Sequence, residues 1–304
     1  MIRIVLLGRT GNNLFQYALG RVLAAKHGVP LVLDASWFNA AGWAEVSWFL
    51  GLPIRAKVVR RCSVGARVLR RITGKHYWEF RGVPILREPA DDQSFDRCFL
   101  DAPADCMLFG YFQSPRYFAG MDDMLRCELN DLIAAAVPAS ESMTLREKLG
   151  RPEAVAVHVR RKDYLTQPVF MVCDADYYHE AMRQMRAGVP GARFHVFSDD
   201  PAWCRAEFRE ADQEVMDSGP ASANPLHDLR LMSLASHHII ANSSYSWWAA
   251  WLGQKPGQRV FMPDRWYAHG IKAPVAEKNP GHWSVITCDR LSGRVHPGSG
   301  DSVI

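Results

Sequence analysis

His158-Val-Arg-Arg-Lys-Asp-Tyr164 follows directly on the apolar run Ala154-Val-Ala-Val157. A short β-branched run that gives way to a polar cluster reads as a buried strand ending in a loop. In an open α/β sheet the ligand lies outside the carboxyl ends of the strands. The stretch therefore puts a histidine, two arginines and an aspartate where a ligand would sit. Guanidinium groups meet phosphate oxygens as permanently charged, bidentate forks. The first expectation is a phosphate-bearing ligand of the nucleotide type. A surface ion-pair cluster at a strand end is the competing explanation.

The pattern on either side supports an α/β chain. After the heptad, strands are expected at Phe194–Phe197, Glu214–Met216, His238–Ala241 and Arg259–Phe261, in addition to Ala154–Val159. Helices are expected between them at Asp176–Arg186, Pro201–Glu207, Pro225–Ala235 and Ser244–Leu252. Such alternation implies a parallel sheet covered by helices. The first forty residues read as a second βαβ unit. Its strand is Arg3–Leu7, its helix runs to about Lys26 with Asn12 or Asn13 as N-cap, and Leu31 opens the next strand. Residues 35–150 are less regular. Trp37, Phe38, Trp43, Trp48 and Phe49 form an aromatic patch that reads equally as a sugar site or as loop packing. A boundary near Gly150 divides the chain into domains 1–150 and 151–290, followed by a Gly- and Ser-rich tail, 291–304.

Composition narrows the class. The chain has 304 residues, 48% hydrophobic and 22% charged, enough to build a core without a disulfide or metal staple. Its seven cysteines are scattered, with no C-x-x-C pair, which argues against a disulfide framework or a zinc site. That usage fits a reducing, cytoplasmic compartment. No apolar run approaches transmembrane length. Arg55 to Lys75 carries eight basic residues and no acidic one, with Val58, Cys62, Leu69 and Ile72 at roughly helical spacing. A basic helix is expected there. It either presents a solvated face or attaches the protein peripherally to an anionic inner-membrane surface. The segment has no stacking aromatics and the chain no nucleic-acid motif, so nucleic acid is not an expected partner.

Other segments add polar groups at strand ends. Gly8-Arg-Thr-Gly11-Asn-Asn is a Gly turn leading into a helix, but it is neither G-x-G-x-x-G nor a P-loop. A helix N-terminus there would offer free N–H groups to a ligand. Asp34 ends the second strand where a dinucleotide-binding fold would place its ribose carboxylate, the best support for an oxidoreductase. Phe197-Ser-Asp-Asp200 puts two carboxylates at a strand end. One suits the N1–H and amino edge of guanine, the other a helix N-cap before Pro201. Asn242, Ser243 and Ser244 are small donors at the start of a helix carrying Trp247, Trp248 and Trp251. Asp174-Ala-Asp176 resembles a metal-binding pair but precedes a helix, so capping is expected. His237 and His238 are adjacent on a strand and face opposite sides, so they cannot share a metal.

Four blocks together resemble the inverting α-1,2-fucosyltransferases that use GDP-fucose, glycosyltransferase family eleven. They are Gly8–Ala18 (G-R-T-G-N-N-L-F-Q-Y-A), His158–Tyr164, Phe197–Asp200 and His227–Leu252, which holds N-S-S-Y-S-W-W-A-A-W-L. The likeness spans nearly the whole chain and is weakest over residues 35–150. Asn13 and Leu14 stand where the family pattern has Gln and Met, and Lys162 where it commonly has Gly. The resemblance implies a GT-B fold of two facing Rossmann-like domains, with the C-terminal one holding the nucleotide sugar. It implies that Arg160 binds the pyrophosphate and steadies departing GDP, that His158 and Asp199 contact guanosine, and that Asn242, Ser243 and Ser244 contact the phosphates. It places Gly11, Asn12, Asn13, Phe15 and Gln16 on the acceptor side. It implies no metal and no cofactor beyond GDP-fucose as donor, with a terminal β-galactoside as acceptor. Asp163 is the candidate general base. The alternatives are another GDP-sugar donor, an NAD(P)-dependent oxidoreductase and a carbohydrate-binding module.

Overall fold

The computed structural model describes residues 1–36, 38, 46, 48–60, 65, 72, 82–137, 143–216 and 224–288. Two parallel sheets organise them. The first holds β1 (Ile2–Val5), β2 (Leu31–Asp34), β3 (Lys57–Val59), β4 (Ile85–Arg87) and β5 (Cys106–Phe109) in the order β3-β2-β1-β5-β4. The second holds β6 (Ala154–Val159), β7 (Arg193–Ser198), β8 (Gln213–Val215), β9 (His237–Ile239), β10 (Val260–Pro263) and β11 (Ser284–Ile286) in the order β11-β10-β9-β6-β7-β8. The helices are α1 (Thr10–His27), α2 (Asp122–Ala136), α3 (Met143–Leu149), α4 (Ala175–Gly188), α5 (Pro201–Glu207), α6 (Pro225–Leu234), α7 (Ser244–Leu252) and the single turn α8 (Val275–Lys278).

Strand order fixes where a ligand can bind. In the first sheet the chain runs outward from β1 through β2 and β3, then reappears on the other side of β1 as β5 and β4. In the second it runs outward from β6 through β7 and β8, then restarts on the other side of β6 as β9. The loops leaving β1 and β5, and those leaving β6 and β9, therefore diverge at two switch points, where a crevice opens at the carboxyl ends. The loop after β6 is the heptad 158–164.

Alternation along β6 explains its apolar run. Val155, Val157 and Val159 face one way, into a cluster with Tyr177, Tyr178, Ala181, Met182 and Met185 of α4. Ala156 faces the other, into a core shared with the tryptophans of α7. That second core does not stop at the domain boundary. Ile2, Ile4 and Leu6 of the first unit belong to the same buried cluster as Trp247, Trp248 and Trp251. Phe15 of α1 lies 4.7 Å from Trp247 and 4.9 Å from Trp248, and Phe118 stacks on Trp248 at 5.6 Å. Helix α2 packs on α6 and α7, while its Glu128 takes hydrogen bonds from Tyr17 and Arg21 of α1. A second seam joins the units at the surface: Gln93 N donates to Lys272 O at 2.7 Å, and Lys272 N to Asp91 O at 2.8 Å.

Several expectations change. Lys57–Val59, read as part of a basic helix, is instead an edge strand paired with β2. Most of the rest of that basic segment (61–64, 66–71, 73–75) lies outside the described residues, as do Trp37, Trp43 and the tail 291–304. Helix α1 starts at Thr10, before either asparagine, so Arg9 and not Asn12 or Asn13 is its N-cap. Among the described residues no helix is long and apolar enough to cross a membrane.

Candidate active site between the two sheets

A cavity of about 1000 Å³ lies between the carboxyl ends of the sheets. The loops after β1, β5, β6, β7 and β9 all reach it, as the switch points require.

Arg160 is its electrostatic centre. The guanidinium makes a two-pronged contact with Asp163, Nε to Oδ1 at 2.8 Å and Nη2 to Oδ2 at 2.9 Å, and its Nη1 lies 3.3 Å from Asp199 Oδ2. Burial works against its charge, but the two carboxylates more than offset that and hold it protonated. Burial would likewise raise the Asp163 carboxyl, yet Arg160, with Arg9 at 3.5 Å, keeps it below the usual range. His158 sits beside this cluster and lines the same cavity. Burial, and then the charge of Arg160, push its imidazole down to about 3, so it is neutral. Its Nδ1 is buried with no protein partner, a hydrogen-bonding atom that the protein itself leaves unsatisfied beside the cavity.

Two helix N-termini meet at the cavity. Neither Arg9 of α1 nor Ser243 of α7 caps its helix through a side chain. By contrast, Asp174, Asp200 and Asn224 cap α4, α5 and α6 by accepting from Tyr177, Trp203 and Leu226 N–H groups. Two uncapped positive helix ends side by side favour an anion between them. Gly11 makes the approach possible: a Cβ there would lie 2.5 Å from Tyr245 N and 2.7 Å from the Ser244 carbonyl carbon. Asn12 Oδ1 ties the pair together, accepting from Ser244 Oγ at 2.7 Å and from Gln113 Nε2 at 2.7 Å.

The structure brings His158, Arg160, Asp163, Asp199, Asn242, Ser243, Ser244, Gly11 and Asn12 into one cavity. Three expected acceptor residues lie elsewhere. Asn13 and Gln16 are fully buried and brace the turns after β1 and β5, with Asn13 Nδ2 bonded to Leu7 O and Gln16 Nε2 to Gly110 O. Phe15 is packed among the α7 tryptophans. Gly11 and Asn12 stand at the mouth of α1 and line the cavity, whereas Asn13, Phe15 and Gln16 are buried in the core behind it. Asn242 lines the cavity, and its side-chain amide donates to Phe170 O and Trp266 O, so both side-chain donors are spent on shaping the loop. Of the adjacent arginines only Arg160 enters the cavity. Arg161 lies 3.9 Å over Trp203 and bonds Asp200. Asp34 accepts from Ser36 N at a tight turn. Among the described residues no cluster of three or more His, Cys, Asp or Glu could hold a metal.

Sequence reasoning missed other lining residues. Asp228, in the first turn of α6, adds a third carboxylate. Arg9 and Lys162 add positive charge, and Gln93, Tyr111, Gln113 and Tyr267 also line the cavity. Lys162 lies inside the heptad, Arg9 inside the Gly turn and Asp228 at the start of an expected helix, so their positions carried a signal, whereas Gln93, Tyr111, Gln113 and Tyr267 come from irregular loops.

Two Rossmann-like units facing one cleft form the GT-B arrangement of nucleotide-sugar transferases. The glycosyl transferase family 11 model matches residues 90–283, well over half of the sequence, and the chain belongs to that family. An alpha-1,2-colitosyltransferase of Escherichia coli is 26% identical over 272 residues, covering 86% of this chain and 91% of its own. A galactoside alpha-(1,2)-fucosyltransferase 1 of Alouatta caraya is 32% identical over 268 residues, covering 84% of this chain and 65% of its own. Among solved structures, the fucosyltransferase NodZ from Bradyrhizobium aligns with 82% of this chain and 91% of its own, at 15% identity and a TM-score of 0.46.

Proposed function

We propose that the protein transfers L-fucose from GDP-β-L-fucose to the 2-hydroxyl of a terminal β-galactoside, with inversion and without a metal ion. The observation that carries the reading is Arg160, charged and held by two carboxylates in a cavity where two uncapped helix ends converge. As the bond from C1 to the β-phosphate breaks, negative charge builds on departing GDP. A fixed guanidinium and helix N–H groups oppose that charge without reorganising, as a metal does in other transferases. The acceptor hydroxyl attacks C1 from the opposite face, so a β-linked donor gives an α-linked product, and its proton passes to solvent. The oxocarbenium-like transition state draws its stabilisation mainly from the leaving-group side.

Neutral His158, with an unpartnered Nδ1, supports a contact to the nucleoside. Asp199 supports recognition of the donor edge of guanine. The two relatives are named for different sugars but share an α-1,2 linkage, which supports the 2-hydroxyl as target. Calorimetry with GDP in EDTA tests the reading on the native protein and Arg160→Ala. Loss of a charged phosphate contact should weaken binding by about 2–5 kcal/mol. Transfer assays with GDP-fucose, GDP-mannose and GDP-colitose then decide the sugar. Absence of GDP binding, or binding indifferent to Arg160, defeats the reading.

A further inference from the structure

Behind the cavity wall lies a buried cation. Lys278, the last residue of α8, is only 2% exposed. Its Nζ donates to Gln113 O at 3.1 Å and sits 5.4 Å from the centre of the Trp266 ring. Burial pushes its amine down from the ordinary 10.5 to about 8, and the carboxylates of Glu88 and Glu277, acting through space, offset this only in part. Between those two values the unfolded chain binds the proton and the folded one does not, so stability rises with pH there. Below about 8 the fold bears the full penalty of a buried charge. An apolar side chain of similar volume would spare it that penalty. Stability therefore does not account for a lysine at this position, and its contacts must.

The turn that Lys278 touches, residues 110–114 after β5, is pinned from three sides. Gln16 Nε2 of α1 donates to Gly110 O at 2.8 Å. Glu88, next to β4, accepts from Tyr111 N at 2.6 Å and from Phe112 N at 3.1 Å. Lys278 reaches in from the second unit to Gln113 O. Phe112 has φ 53°, unusual for a residue other than glycine. Such strain persists only where its surroundings over-determine it. The turn presents the side chain of Gln113, which is engaged at both ends. Its Nε2 donates to Asn12 Oδ1 at 2.7 Å, and its Oε1 accepts from Trp266 Nε1 at 3.0 Å. Asn12 Oδ1 also accepts from Ser244 Oγ. One glutamine thus links the buried amine to the mouths of both α1 and α7.

We propose that Lys278 is a positioning residue for the GDP site: through Gln113 it keeps the α1 and α7 helix ends at the spacing that a diphosphate needs. This rests on the GDP reading above. A charged N–H donor holds a carbonyl more tightly than a neutral one. The ammonium form therefore fixes Gln113, and the neutral amine loosens it. The charged groups around it are Glu88 and Glu277, with Arg116 lying 3.5 Å from Glu277. Tyr117 belongs to the short turn on which α8 packs. Burial raises the Glu88 carboxyl, against its hydrogen bonds from Tyr111 N and Phe112 N and the charge of Lys278. Burial also raises Tyr111 and Tyr117, moving both away from pH 8. In the cavity His158 is already neutral and Arg160 stays charged.

Calorimetry with GDP across about pH 7 to 9 tests this on the native protein first. Affinity should fall as pH rises through about 8. Lys278→Met should weaken GDP binding at neutral pH about tenfold, the scale of a lost charged hydrogen bond. Its affinity should no longer change with pH over that range. Gln113→Ala cuts the link but keeps the carbonyl, so Lys278→Met added to it should weaken binding much less than it does alone. Should Lys278→Met fold poorly, the native pH profile decides alone. A flat native profile, native affinity in Lys278→Met, or losses that add in full in the double variant overturns the proposal. No GDP binding by the native protein at any pH instead defeats the GDP reading, and this one with it.

Discussion

Asp163 shows how a residue type suggests one role and its contacts another. A general base needs a free lone pair near the substrate and a pKa near the working pH. Both Asp163 oxygens are instead engaged by Arg160, and Arg9 approaches from the other side of the cleft. The paired carboxyl is held below its usual range. Its contacts make it a positioning residue for the arginine. Asp163→Asn should then lower kcat tenfold or more, about 1.4 kcal/mol, and weaken GDP binding with it. The acid limb of the kcat/KM profile should stay in place, whereas its disappearance would restore Asp163 as a base. The heptad was legible because a β-branched run announces β6 and its loop. That Arg161 turns away was not legible, because Trp203 and Asp200 lie some forty positions further along the chain.

At the level of elements, the meeting of α1 and α7 carries the site. Adding a methyl at Gly11 would set a Cβ against the backbone of Ser244 and Tyr245, which cannot swing aside as a side chain would. Gly11→Ala should cost about 1–3 kcal/mol of stability and weaken GDP binding, because the two helix ends must part. Gly28→Ala is the control. Gly28 has φ 64° with open space around it, so alanine there strains the backbone far from the cleft. Thermal melts should show destabilisation in both variants, and calorimetry a loss of GDP affinity only for Gly11→Ala. Equal GDP affinity in the two would show that the helix junction does not shape the site. Strands with β-branched runs and helices opened by Asp-Pro or Asn-Pro were readable from sequence. Ile85–Arg87 and Ser284–Ile286 were not, because three residues carry too little periodicity. The start of α1 was misread for another reason. Asparagine is a good cap, but Asn12 and Asn13 spend their side chains on Ser244 and Gln113 and on Leu7 and Gln16.

Across the whole molecule the two sheets do not behave as separate bodies. A domain interface of ordinary polarity would permit hinge motion. Here Phe15, Phe118 and the three α7 tryptophans continue the core from one unit into the other. Aromatic residues bury about 150–250 Å² each, so separating the units exposes a large apolar surface. Unfolding should be a single cooperative transition, with calorimetric and van't Hoff enthalpies equal and near- and far-UV signals coincident. Two resolved transitions would show that the seam is weaker than its packing indicates. The sequence led to expect two domains divided near Gly150, and two sheets are present. Their joint core was hidden, because tryptophans at helical spacing show that a face is buried but not what buries it. The seam also bears on descent. Recombination between related genes near the middle of the chain would pair ring clusters that had never been matched to each other. Changes in the loop after β4, or at Tyr111 after β5, leave those rings untouched. The rim of the cleft can therefore vary while the halves beneath it are inherited together.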